Sequence, residues 1–444
     1  MKRFFSAHTL VPVVLFSTIF LLLNTYIGNL RLFIDDFPYL LEIPSLTHDF
    51  SAFVQSYIAL HGLYRPVALG YYWVIYTLYE LSPYIAHALP WAIHVATGFG
   101  LFVILKKHGM LAPFALIAGL VFTLHPFASE QYMWLSANPG TVANLLFIIQ
   151  LLLLSHIKNF GKALLSITIL SIISVFLYES TFFFFLPLAF LFWTTFPEAK
   201  KHPVKLMTMF LLPLFLYSIS KFIVQGTDPR PLVDNVSLLT RHASEAMENI
   251  VHIHINDYYT SRFWSAYLLQ GWKLFIPSPV FILGLLAFAG SIGTIFSFNE
   301  SVKQTHKYIF VFWTLVFFAS IVPLLLNKEF YFGFRSLFLP TITGIIVLLW
   351  IVQKIGYSNT KNATKMLGIL IIGSFFLIDI AVATKYQEQY TKDIRIASII
   401  GEIVQDEFPD SLPYTVHILL KSKISYDSRN SFLHADHMLG CLHH

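Results

Sequence analysis

Charge is what this chain has least of. Only 12% of its 444 residues are Asp, Glu, Lys or Arg, about half the roughly 25% of an average soluble protein. With a mean hydropathy of +0.66, a water-soluble globule, a disordered chain and a coiled coil are all excluded. The single cysteine, Cys441, excludes a disulfide framework and any cysteine-based zinc or iron–sulfur site. A net charge of +5 is too modest to read as nucleic-acid binding. No P-loop, GxSxG, HExxH or GxGxxG element occurs in a supporting context. Nor is an internal repeat visible, which weighs against transporters built from repeated halves.

What the chain has instead is a series of long apolar runs. Stretches of the roughly 17–25 residues that a bilayer requires fall near 9–30, 83–105, 111–127, 139–156, 163–178, 181–197, 206–224, 275–297, 308–326, 337–353 and 366–384. The first follows Lys2 and Arg3 and is similar to a signal peptide. It continues as LVPVVLFSTIFLLLNTYIGN without a small-x-small cleavage site, so it reads as a retained first helix. Segment 66–81, PVALGYYWVIYTLYEL, could span or lie at the interface, and lysine placement decides between the two. If it lies flat, Lys2/Arg3, Lys106/Lys107, Lys158/Lys162, Lys200/Lys201/Lys205, Lys303/Lys307 and Lys354/Lys361/Lys365 all fall on one side, the cytoplasmic one by the positive-inside rule. The expected fold is therefore an all-α polytopic membrane protein with about eleven transmembrane helices and juxtamembrane helices in its first external loop.

Residues 1–384 would form the transmembrane domain, with external loops at 31–82 and 225–273. Residues 385–444 would form a small extracytoplasmic C-terminal segment, helical over 386–407. Of the nine arginines only Arg3 is then cytoplasmic. Arginine offers a planar fork suited to phosphate or carboxylate, so the external set is the more informative one.

The strongest local signal is RLFIDDFPYL, Arg31 to Leu40. It sets two adjacent carboxylates, Asp35 and Asp36, immediately outside the first helix, where one can act as general base beside a second acid. HGLYRPVALGYYW places Tyr64 and Arg65 at headgroup depth before a proline-opened aromatic segment, a position suited to a lipid phosphate. LHPFASEQYMW offers His125 and Glu130 at the outer end of a helix, followed by a helix-breaking NPG. Glu179 is a similar edge acid. His87 and His94 share a helix face, where a satisfied core histidine is the plainer reading. His252, His254 and Asp257 form a weak zinc pattern in the long loop. Arg335 stands at the outer edge of a helix in NKEFYFGFRSLFLP, where it could bind a second phosphate. The helices themselves read as nearly free of charge.

These pieces together resemble the GT-C superfamily of integral-membrane glycosyltransferases. IDDFPYL is similar to that family's acidic motif in the first external loop, and the stretch from YRPVALGYYW to ILKK resembles its (K/R)P start, juxtamembrane helix and second span. His125 to Glu130 resembles the H-P-x-x-x-E segment of an O-mannosyltransferase branch, and FRSLFLP the late Arg-x-x-x-x-P element. The likeness extends to aminoarabinose-transferase-like members. Tyr64 departs from it, standing where some bacterial members carry an acid.

The resemblance implies an inverting transferase using a polyprenyl- or dolichyl-phosphate sugar donor and a glycan, lipid or protein acceptor. Asp35 or Asp36 would be the base, Glu130 the second acid, and Arg65 and Arg335 the phosphate contacts, with His125 and Tyr64 lining the substrate site. The resemblance leaves the cofactor open: if a divalent metal such as magnesium or manganese takes part, Asp36 and Glu130 would hold it. The expected location is a bacterial inner or plasma membrane rather than the ER, with the site on the periplasmic, extracellular or luminal face. The alternatives are a polymerase or ligase of lipid-pyrophosphate glycans and a lipid-linked-saccharide flippase.

Overall fold

The computed structural model describes residues 7–28, 30, 49–61, 65–225, 269, 273, 307–326 and 334–407. Among these there is no strand; the fold is helical throughout. In chain order the helices are α1 (Ala7–Ile27), α2 (Phe50–His61), α3 (Pro66–Leu81), α4 (Pro83–Lys107), α5 (Ala112–Leu124), α6 (Ser129–Met133), α7 (Pro139–His156), α8 (Phe160–Leu177), α9 (Phe185–Thr195), α10 (Pro197–Lys201), α11 (Pro203–Gln225), α12 (Lys307–Leu326) and α13 (Phe334–Glu407). Ten of the eleven apolar runs are helical over most of their length, while 275–297 lies outside the described residues. Among the described residues, six helices are long and apolar enough to cross a membrane, and four shorter apolar ones accompany them. This is an integral membrane architecture.

Proline sets many of the boundaries. Helices α3, α4, α7, α10 and α11 all open on a proline, whose fixed φ suits the first helical position and whose missing N–H would be unpaired there anyway. The reversal between α4 and α5 uses glycine instead. Gly109 takes a φ of 95°, and it closes α4 with two bonds, Met110 N–H to Leu105 O at 3.0 Å and Gly109 N–H to Lys106 O at 3.1 Å. This is the Schellman pattern, which a side chain at Gly109 would strain.

Helix α5, APFALIAGLVFTL, is apolar on every face, and all of its residues are buried. A helix with no polar stripe must be surrounded; here α4 and both arms of α13 pack against it, and Phe16 of α1 reaches Gly119. Phe338 and Phe375 both lie against the His125 ring, at 6.3 and 4.9 Å between centroids. A straight helix would hold those two residues about 55 Å apart, so α13 doubles back. Its first arm, 338–353, ends where Gln353 meets Leu111. Its second, 366–384, returns past Ile117, which Gly368 faces. The runs predicted at 337–353 and 366–384 are thus two antiparallel arms of one helical stretch.

Contacts between helix termini sort the bundle into two ends. Lys107 Nζ lies 3.3 Å from the His156 ring, Phe160 packs on Phe196, His108 on Phe312, and Gln353 on the α4–α5 turn. That end gathers the loops in which the sequence concentrates lysine. At the other end Asn24 bonds Tyr84, Arg65 covers Tyr178, and His125 meets α13. Helix α3 buries Ala68, Leu69, Tyr72, Ile75 and Tyr76, the one-sided spacing of an amphipathic helix. That face packs with Leu135, Ala143 and Leu177, and α2 covers Trp73 through Phe50 and Phe53.

Candidate functional site

Between α5 and α7 the chain stops making long helices. Residues 125–138 pass through a 3-10 turn (Pro126–Ala128), the five-residue α6 and a second 3-10 turn (Leu135–Ala137). Connections usually run over the surface, because a buried one must satisfy its own backbone. This connection is buried: His125, Phe127, Ala128, Tyr132, Met133, Leu135 and Asn138 are wholly inaccessible to solvent. Within a membrane bundle, broken helix is tolerated where protein or a cavity surrounds it.

The segment supplies its own hydrogen bonds. His125 Nδ1 accepts from the Phe127 N–H at 3.1 Å, capping the first turn. With Nδ1 as the acceptor, a neutral ring carries its hydrogen on Nε2. Ser129 Oγ donates to the Pro126 carbonyl at 2.7 Å. From α7, Thr141 Oγ1 donates to the Gln131 carbonyl at 2.8 Å and Asn144 Nδ2 to the Gln131 side-chain oxygen at 3.2 Å. The two donors lie three residues apart and therefore share a helix face. Tyr71 of α3 faces Asn138, and its sealed hydroxyl is held well above the usual phenol range by burial and the neighbouring Tyr72, so it remains a neutral donor.

Aromatic rings form the wall on the α4 side. Trp91 lies 4.8 Å from the Tyr132 ring and donates its indole N–H to the Phe20 carbonyl at 3.1 Å. His94 is fully buried among Trp91, Phe122, Tyr132 and Phe338. Neither of its ring nitrogens makes a hydrogen bond, although the backbone of Phe122 and Thr123 faces the ring. It is packed by rings, not satisfied by hydrogen bonds as the sequence reading expected.

The opposite wall carries a residue that sequence reasoning missed. Asp379, on the returning arm of α13, is fully buried. Both carboxyl oxygens are sealed from solvent, and the Tyr132 hydroxyl faces them. Leaving a buried polar group unsatisfied costs on the order of 1–3 kcal/mol, and more for a charged one. An acid in that position inside an apolar helix marks a site by default. The signal was present in FFLIDIAVA, a lone acid in the middle of an apolar run, the exception within helices otherwise nearly free of charge.

The predicted site residues fall into three groups. Asp35, Asp36 and Tyr64 lie outside the described residues, as do His252, His254 and Asp257. Glu130 is carried by α6 and Arg335 by the first turn of α13. Since Phe338 packs on His125, the segment bearing His125 and Glu130 meets the helix start bearing Arg335. Arg65 precedes α3, with its guanidinium carbon 5.5 Å from the Tyr178 ring centroid. It is linked to the buried segment through the α3 face that packs with Leu135. Among the described residues, no three His, Cys, Asp or Glu side chains converge to hold a metal ion.

No family model, no curated protein and no solved structure matches this chain.

Proposed function

We propose that this chain is an inverting membrane glycosyltransferase, moving a sugar from a polyprenyl-phosphate donor to a glycan, lipid or protein acceptor at the non-cytoplasmic face. The observation that carries the reading is the meeting of His125 with Phe338. It joins the H-P-x-x-x-E segment to the helix start bearing Arg335, two pieces far apart in the chain that the same chemistry requires together. In this reading all eleven apolar runs span a bacterial inner or plasma membrane. The lysine-rich end is then cytoplasmic, by the positive-inside rule. Residues 385–444 lie outside.

In the reaction, the carboxylate of Asp35 or Asp36 removes the proton from an acceptor hydroxyl. The acceptor oxygen attacks the anomeric carbon while the bond from that carbon to the phosphate oxygen breaks. Polyprenyl phosphate leaves with the bonding pair, and Arg65 and Arg335 stabilise its developing charge. Glu130 orients the acceptor.

The test is transfer from polyprenyl-phosphate sugars by the full chain in vesicles, comparing wild type with Asp35→Asn and Asp36→Asn at matched membrane abundance. At least one variant should be present in the membrane and slowed by about 10²–10⁴-fold, the usual loss of general-base help. Two abundant variants transferring at wild-type rates would overturn the assignment. Buried Asp379 favours a second reading, a lipid-linked-saccharide flippase, because transport pathways place acids inside the bundle. Movement of a labelled lipid-linked sugar across the vesicle membrane without glycosyl transfer would select it.

A further inference from the structure

The H-P-x-x-x-E segment is short, irregular and buried, so what holds it decides where Glu130 stands. Its internal hydrogen bonds secure the first turn and Gln131. A further restraint comes from the returning arm of α13. Phe375 sets its ring 4.9 Å from His125, edge to face. Asp379, one helical turn later and on the same face, presents its carboxyl to the Tyr132 hydroxyl. Tyr132 in turn is wedged at 4.8 Å from Trp91 and 4.9 Å from His94. Each end of the His125–Tyr132 stretch therefore meets one residue of the same helix face, and Glu130 lies between them.

We propose that Asp379 is a positioning residue: with Phe375 it clamps both ends of the His125–Tyr132 stretch and fixes the backbone that carries Glu130. The inference rests on the glycosyltransferase reading for its link to rate, but the clamp itself can be measured without it. A leucine at this position would fill similar volume without leaving an acceptor buried, and replacing buried charged groups by apolar ones is often neutral or stabilising. The Tyr132 hydroxyl is the counterpart of Asp379, and the two should act as a unit.

The experiment uses the full chain in nanodiscs and the variants Asp379→Leu, Asp379→Asn and Tyr132→Phe. Hydrogen exchange of the backbone amides of 125–138 should quicken in Asp379→Leu and Tyr132→Phe, with α7 and α8 unchanged and no fall in melting temperature. Asp379→Asn, which keeps a carbonyl acceptor, should stay near wild type. In the transfer assay the first two variants should lower kcat by about 10²-fold, the cost of a misplacement of about 1 Å, with KM for the lipid donor unchanged. The double variant should be no worse than either single one. Wild-type exchange across 125–138 in both Asp379→Leu and Tyr132→Phe overturns the clamp. Altered exchange in a chain that transfers no sugar from any polyprenyl phosphate keeps the clamp and overturns the glycosyltransferase reading instead.

Discussion

The side-chain oxygen of Gln353 accepts the backbone N–H of Leu111 at 2.9 Å, across 242 positions of the chain. Leu111 is the N-cap of α5, and the start of a helix leaves its N–H groups without internal partners. The same glutamine directs its amide toward the Gly109 carbonyl at 3.4 Å. A single buried side chain thus closes the α4–α5 turn and marks where the first arm of α13 ends.

Gln353→Leu should therefore strand a buried N–H and weaken the fold by about 1–3 kcal/mol, the cost of an unsatisfied buried donor. The measurement is the unfolding midpoint of the purified protein in detergent. Glycosyl transfer per folded molecule should be unchanged, because the substitution lies at the opposite end of the bundle from His125. An unaltered midpoint would show that the contact contributes nothing to the turn.

His108 makes the same turn sensitive to acid. It follows the last residue of α4 and is buried against Phe312 and Trp313. Burial, with the charge of Lys107 beside it, pushes its imidazole down from 6.5 to about 4. The unfolded chain then binds the proton more readily than the folded one between those values. Stability is fully present above pH 6.5 and is lost as pH falls toward 4, by on the order of 3 kcal/mol in all. The unfolding midpoint should drop across that window, and His108→Asn should flatten the drop. A His108→Asn profile with the wild-type slope would place the acid sensitivity elsewhere.

Arg65 tests the lipid-phosphate assignment. Its guanidinium lies over Tyr178, an attraction worth about 0.5–1 kcal/mol at such a site, which holds the fork in one orientation. Arg65→Ala should raise KM for the polyprenyl-phosphate donor by roughly tenfold or more, since a hydrogen bond to a charged group is worth about 1.5–3 kcal/mol. Arg65→Lys should recover part of that, having the charge without the fork. Tyr178→Leu should act in the same direction more weakly. Full donor affinity in both Arg65 variants would leave Arg65 as an interfacial anchor.

The apolar runs could be read from the sequence because a helix in lipid satisfies its own backbone and needs only length and low charge. The same argument explains why the two arms of α13 were found although the chain stays helical between them. Burial was harder to read. HPFASEQYMWLSANPG has the proline, glycine and polar residues of a solvated turn, and only the packing of α4 and α13 around it shows that it is enclosed. Likewise FFLIDIAVA shows an acid within an apolar run, but an all-apolar helix has no stripe from which to tell which face Asp379 occupies. The hairpin of α13, which brings Asp379 and Phe375 to Tyr132 and His125, is a tertiary fact with no local signature.

The crossing of α4 and α5 supplies the last prediction, because it ties packing to the site. A Cβ built on Gly98 would collide with the Thr123 hydroxyl and come within 2.9 Å of the Gly119 carbonyl. One on Gly119 would come within 2.7 Å of the Gly98 carbonyl and 3.2 Å of Phe16. Small residues that let backbones meet are how helices associate in membranes, where lipid removes the hydrophobic drive. Thr123 has little room to move, since its hydroxyl donates to the Gly119 carbonyl at 2.9 Å. Gly98→Ala should force the two helices apart and cost about 1–3 kcal/mol, as overpacking does. The shift should also reach the site, because Gly98 is one turn from His94, and Phe122 and Thr123 face the His94 ring. Transfer activity should fall along with the unfolding midpoint. Gly140→Ala, in α7, is the control: a Cβ there meets nothing within 4 Å, so it should be neutral or stabilise by about 0.5–1 kcal/mol through helix propensity. Equal midpoints for Gly98→Ala and Gly140→Ala would mean that α4 and α5 do not meet at these glycines.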